Sequence, residues 1–85
     1  MPKARKGPVQ IRFEILEYLC YQHEPQPRTH IWRRATTLSY DDFLKHLAYL
    51  VERELVTEEE DGGCSITKVG RGVYDKLRSV LASIL

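Results

Sequence analysis

Residues 29–56 read THIWRRATTLSYDDFLKHLAYLVERELV, and the order of apolar and polar residues within them decides the fold. Phe43, Leu44, Leu47, Leu50 and Val51 recur at intervals of three and four, the spacing of one helical face, while Asp41, Asp42, Lys45, His46, Tyr49, Glu52 and Arg53 fall on the opposite arc. Ser39 precedes this run with Asp42 three residues on, a capping-box-like pattern that predicts an N-cap at Ser39. Upstream, Thr29 is placed to cap a shorter helix from His30 to about Thr36. Its Ile31 and Ala35 stand one turn apart and face inward, which turns Arg33 and Arg34 outward. Only the break at Thr36-Thr37-Leu38 separates the two helices.

Toward the N-terminus, Ile11, Ile15 and Leu19 with Leu16 and Cys20 predict a helix from Val9 to Gln22, its polar side carrying Arg12, Glu14 and Glu17. Glu24-Pro25-Gln26-Pro27 stops it, because proline lacks an N–H and biases its predecessor toward extended backbone. Residues 1–8, MPKARKGP, read as a flexible basic arm bearing Lys3, Arg5 and Lys6. Downstream, Leu55-Val56-Thr57 and Cys64-Ser65-Ile66-Thr67 are strand-like runs around Asp61-Gly62-Gly63, which predicts a β-hairpin. Thr67 then caps a last helix through Leu85 with Val69, Val73, Leu77, Val80, Leu81 and Ile84 on one side. The expected organisation is an arm over 1–8, a domain over 9–67 and a C-terminal helix over 68–85.

The chain has 85 residues, 42% of them hydrophobic and 29% charged, which is ordinary for one folded domain. A domain this short buries only about 60–65% of its unfolded surface, so a partner chain would add to a thin margin. No apolar run approaches the roughly 18–20 residues that span a bilayer, and no apolar core follows the basic start, so the expectation is a cytoplasmic protein without a membrane role. Cys20 and Cys64 form no C-x-x-C pair, and His23, His30 and His46 share no ligand spacing, so no metal is expected. Asp41 and Asp42 are neighbours at a helix start, favoured there by the macrodipole, and not carboxylates opposed across a cleft. No glycine-rich phosphate loop and no nucleophile with its base is present; neither enzyme chemistry, a cofactor nor a small-molecule ligand can be inferred.

The net charge of +1 conceals an uneven division. Residues 1–34 hold seven Lys/Arg against three Asp/Glu, residues 35–66 two against eight, and residues 67–85 four against one. Basic ends flanking an acidic middle permit nucleic-acid binding on one face without requiring it.

Helix, short helix, tight break, longer helix, hairpin and final helix make a mainly α chain with a small β-hairpin (α+β), the element order of a winged helix-turn-helix. In that geometry the third helix enters the major groove and the second crosses above it near the phosphates. Base edges of double-stranded DNA would be read by Ser39, Tyr40, Lys45, His46 and Tyr49, and phosphates held by Arg28, Arg33 and Arg34. Ser39 also serves as a cap, Tyr40 stands between core and groove, and Lys45, His46 and Tyr49 fit a solvated helix face as well. In the last helix Val73, Leu77, Val80 and Ile84 step by four, three and four, a coiled-coil seam for a homodimer, and Leu81 with Val69 broadens the stripe toward the domain's own core.

The stretch from Thr29 to Val56, above all Leu38-Ser39-Tyr40 followed by Phe43, resembles the small archaeal winged helix-turn-helix regulators, and Ile66-Thr67-Lys68-Val69-Gly70 looks like the start of their final helix. The resemblance covers about residues 9–85 and implies archaeal origin, DNA binding through the third helix and dimerisation through an antiparallel C-terminal coiled coil, in a nucleoid-associated protein. Three features depart from the pattern. Glu54 stands where the family has glycine, which puts a left-handed helix end in doubt; His46 replaces a tyrosine; and Glu58 to Asp61 set four acids at the wing, where phosphate would be repelled. Those acids support a rival reading, a winged helix that binds a basic protein and no DNA; a non-specific architectural chromatin protein is the nearer alternative.

Overall fold

A computed structural model describes residues 7–84, so the arm cations Lys3, Arg5 and Lys6 and the last residue, Leu85, lie outside the described residues. The elements are α1 (Pro8–Cys20), β1 (Gln26–Pro27), α2 (Arg28–Ala35), α3 (Tyr40–Glu52), β2 (Val56–Glu58), β3 (Gly63–Ile66) and α4 (Lys68–Ile84). Pro8 opens α1, at the position where a missing N–H costs nothing and the fixed φ suits the helix. The helix ends five residues before Pro25. Tyr21 N–H and Gln22 N–H donate to the Tyr18 and Leu19 carbonyls at 3.3 and 3.2 Å, tightening the last turn.

Glu24 to Pro27, expected only to stop a helix, also supply a third strand. β1 pairs antiparallel with β3, Gln26 opposite Cys64 and Pro27 opposite Gly63, giving the sheet order β1-β3-β2. Two residues ending in proline fit an edge, where a missing donor goes unnoticed. This strand corrects the predicted cap at Thr29. The chain leaves β1 with Pro27 extended (φ −61°, ψ 149°) and passes straight into α2, so Pro27 is the N-cap without a side-chain bond and Thr29 already lies in the first turn.

α3 begins as its sequence predicts: Asp42 N–H donates to Ser39 Oγ at 3.2 Å, an interaction that contributes about 1 kcal/mol. At its far end Leu55 N–H donates to the Leu50 carbonyl at 2.9 Å and Glu54 N–H to the Val51 carbonyl at 3.0 Å, the Schellman pair. The left-handed residue it needs is Glu54, at φ 62°. A glutamate therefore adopts the conformation that the resemblance assigns to glycine, at a steric cost that glycine would not carry. Glu54→Gly is expected to raise stability by about 1 kcal/mol in urea denaturation; a loss would show that the Glu54 side chain contributes more than its backbone costs.

Ile15, Leu16 and Leu19 of α1, Ile31 of α2, and Phe43, Leu47 and Leu50 of α3 close the core over Val56, Cys64 and Ile66 of the sheet. α4 joins through Tyr74, whose ring stacks on Phe13 at 5.2 Å and whose hydroxyl donates to Glu17 at 3.0 Å. Here the expected stripe is corrected: Val69 is 58% exposed and Leu81 40%, so neither closes the domain's core. The helix is turned so that Gly70 and Tyr74 face inward. Gly70 permits this, for a Cβ there would overlap the Leu55 carbonyl oxygen and come within 2.8 Å of Ile66 Cγ1. Thr67 caps α4 as expected, accepting from Gly70 N–H at 2.9 Å while its own hydroxyl donates to the Glu54 carbonyl at 2.6 Å.

Candidate nucleic-acid interface

The angle between α2 and α3 is fixed by Trp32. Its indole N–H donates to the Leu38 carbonyl at 2.7 Å, and Thr36 Oγ donates to the Trp32 carbonyl at 2.8 Å. Tyr40 meets the indole edge-on at 5.1 Å and lies 6.0 Å from Phe43, so this half-buried tyrosine belongs to an aromatic bridge from the turn to the core. Ser39 remains exposed beside its capping role.

Along α3 the outermost residues are Asp41, Lys45, Ala48 and Glu52, all exposed. Lys45 reaches back to Asp42 at 4.0 Å, an exposed pair worth little and easily exchanged. One flank of this arc carries Leu44 and Val51, which with Arg28 and Glu58 line a shallow groove toward the wing. The other flank faces α1. There Arg12 Nε donates to His46 Nδ1 at 3.3 Å, and the guanidinium carbons of Arg12 and Arg53 lie 3.5 and 4.5 Å from the centre of the Tyr49 ring. His46 and Tyr49 are thus half-buried and engaged with α1.

Burial, followed by the charge of Arg12, holds the His46 imidazole below the ordinary histidine range, with Asp42 pulling the other way. The folded chain therefore takes up a proton at His46 less readily than the unfolded chain, whose histidines titrate at about 6.5. Stability is at its full value above that pH and falls as the pH drops through it. The expected result is a urea midpoint that declines on acidification from neutrality, with a shallower decline in His46→Gln; identical profiles would show that His46 is not the group responsible.

Arg28, expected at phosphate, is engaged within the wing. Its Nε and Nη2 donate to the two carboxylate oxygens of Glu58, the second at 2.6 Å. This two-point bond holds the Glu58 carboxyl below its usual range, and Cys64 adds a weak S–H donor at 3.8 Å. Burial first, and Glu58 next, push the Cys64 thiol up to about 11, leaving it unreactive at neutral pH. At the tip, Asp61 accepts from Gly63 N–H at 2.9 Å and Gly62 takes φ 91°, so Asp61 shapes the turn while Glu59 and Glu60 stay exposed.

Arg33 and Arg34 are exposed in the last turn of α2, where cations suit the helix dipole. They border an open cleft of about 590 Å³ whose other wall holds Glu14, Glu17, Tyr18 and Tyr21 of the α1 end. Among the described residues no group of three His, Cys, Asp or Glu is placed to hold a metal, and no helix is long and apolar enough to cross a membrane.

A family model described as winged helix-turn-helix matches residues 5–84. The chain belongs to the winged helix-turn-helix family. No curated protein matches it in sequence. In this winged helix α3 occupies the recognition position, α2 the position above it and the β2–β3 hairpin the wing. The match also takes in α4, where Val73 and Leu77 are half-buried while Val80, Leu81 and Ile84 are 54%, 40% and 72% exposed. Of the residues that shape the winged helix's outer surface, sequence reasoning missed Trp32, Arg12 and Arg53. The i, i+4 spacing of Tyr49 and Arg53 was a local signal for one of them; Arg12 had none, since its partners lie on another helix.

Proposed function

We propose that this winged helix is a DNA-binding transcriptional regulator of archaeal type, cytoplasmic and nucleoid-associated, acting as a homodimer and not as an enzyme. The observation that carries this reading is the outer arc of α3, which stands clear of the core on a turn fastened by Trp32. α3 enters the major groove, Lys45 and Ser39 reach base edges, and Tyr40, His46 and Tyr49 shape the shoulders of the same helix. Arg33 and Arg34 take phosphates; Arg28 joins them at its Nε–Nη2 edge only by exchanging Glu58 for the backbone. Val73, Leu77, Val80, Leu81 and Ile84 meet the same residues of a second copy, so that two α3 helices address successive half-sites.

A second reading has its own support: Asp41 and Glu52 on the arc and Glu58 to Asp61 on the wing form an acidic surface suited to a basic protein. Titration of labelled duplex DNA across a salt series separates the two. A DNA binder weakens steeply as salt rises through loss of counterion release, whereas absence of binding even at low salt leaves the protein partner. Within a binding protein, Arg33→Ala is expected to weaken every duplex alike, and Lys45→Ala to change discrimination between sites by about 1 kcal/mol. Equal effects of both substitutions on all duplexes would contradict the roles assigned.

A further inference from the structure

Arg12 and Arg53 are paired in a way that the winged helix itself does not require. One belongs to α1 and the other caps α3, yet both guanidinium groups rest on the Tyr49 ring. The ion pairs among the described residues are Arg28–Glu58 and Lys45–Asp42, so neither Arg12 nor Arg53 has a carboxylate within salt-bridge distance. The partner Arg12 does have, His46 Nδ1, accepts a hydrogen bond and is neutral in that arrangement. Two like charges are therefore gathered at one aromatic ring, with no carboxylate among the described residues paired to either. Both terminal nitrogens of Arg12 and every guanidinium N–H of Arg53 donate to no acceptor among the described residues. Planar guanidinium forks of this kind match the oxygens of a phosphate group.

The position of the pair gives it a use. It lies on the flank of α3 facing α1, away from the flank where Leu44 and Val51 face Arg28 and Glu58. On the wing side, the one arginine is bonded to Glu58 and exposed acids follow. We propose that Arg12 and Arg53, mounted on Tyr49, form a phosphate-binding site for the backbone of duplex DNA, a clamp beside the recognition helix on the side opposite the acidic wing. The proposal rests on the DNA-binding reading above and adds to it where the backbone is held.

The test measures duplex affinity across a salt series for the full chain and its variants. Arg12→Gln and Arg53→Gln are each expected to weaken all duplexes several-fold and to reduce the slope of log affinity against log salt by about 1. Arg53→Lys keeps the charge and the slope; Tyr49→Phe keeps the ring and therefore also the slope. Arg71→Gln, which removes a cation that donates to Cys20, leaves affinity unchanged. Circular dichroism establishes that each variant is folded, and the uncharged Arg12→Met replaces Arg12→Gln if the latter is not. Duplex binding by the parent chain with unaltered slopes in both Gln variants overturns the site and leaves the DNA-binding reading standing. If the parent chain binds no duplex at low salt, that reading fails instead. Inorganic phosphate is then titrated while the Nε–Hε signals of Arg12 and Arg53 are followed by NMR: saturable shifts uphold a phosphate site, and a flat titration overturns it.

Discussion

Gly70→Ala is expected to cost about 3 kcal/mol of stability, while Gly72→Ala, two residues along the same helix, gains up to about 1 kcal/mol. Helix propensity alone favours alanine at both positions. The surroundings separate them: a Cβ at Gly72 meets nothing within 4 Å, whereas at Gly70 it collides with the Leu55 carbonyl and lies 2.8 Å from Ile66 Cγ1. The carbonyl belongs to backbone that Thr67 N–H already bonds at 3.0 Å, so it cannot swing aside without loosening both chain segments. A domain of this length is stable by only about 4–13 kcal/mol in total, so the loss is large. Urea denaturation followed by circular dichroism reads both variants. Should Gly70→Ala prove as stable as the parent, α4 does not press on the Leu55 carbonyl, and the inward placement of Tyr74 falls with it.

The second large effect concerns assembly. Val80→Lys combined with Ile84→Lys is expected to convert a dimer to a single chain and to weaken duplex binding by about 100-fold, because the second half-site is then no longer presented at high effective concentration. Both side chains are more than half exposed in the isolated chain, so their replacement leaves its core untouched. Val80, Leu81 and Ile84 follow Tyr74, the last α4 residue buried in the core. A helix of 17 residues is about 25 Å long, and this distal part extends its apolar edge past the domain. Light scattering gives the solution mass directly. A parent chain that runs as a monomer at high concentration removes the homodimer from the proposal.

What the sequence discloses depends on the chain separation of the groups involved. α3 was legible because its apolar spacing and its Ser39–Asp42 cap fall within a single window, and Thr67 is legible at the start of α4 for the same reason. β1 was not: Gln26 and Pro27 become a strand only when β3 arrives beside them, and Pro25 and Pro27 argue locally for a break. Arg28 looks like a free surface cation until Glu58 is brought to it from 30 residues away, and Arg12 until His46 arrives from 34 residues away. For α4 the difficulty was rotational. A stripe of valines and leucines outweighed one tyrosine and one glycine in the pattern, but a helix pressed onto a carbonyl needs the glycine inward, and Tyr74 follows one turn later.

The bond between Arg28 and Glu58 sets up a competition. Glu58 occupies the Nε–Nη2 edge of Arg28, so a DNA phosphate that takes that same edge must evict Glu58, leaving its carboxylate only the weak S–H donor of Cys64. By reciprocity, whatever fastens the hairpin to the start of α2 lowers affinity for DNA at that point by the same factor. Wing and operator then behave as rival ligands of one arginine, and the hairpin's mobility becomes a readout of whether that arginine has changed hands.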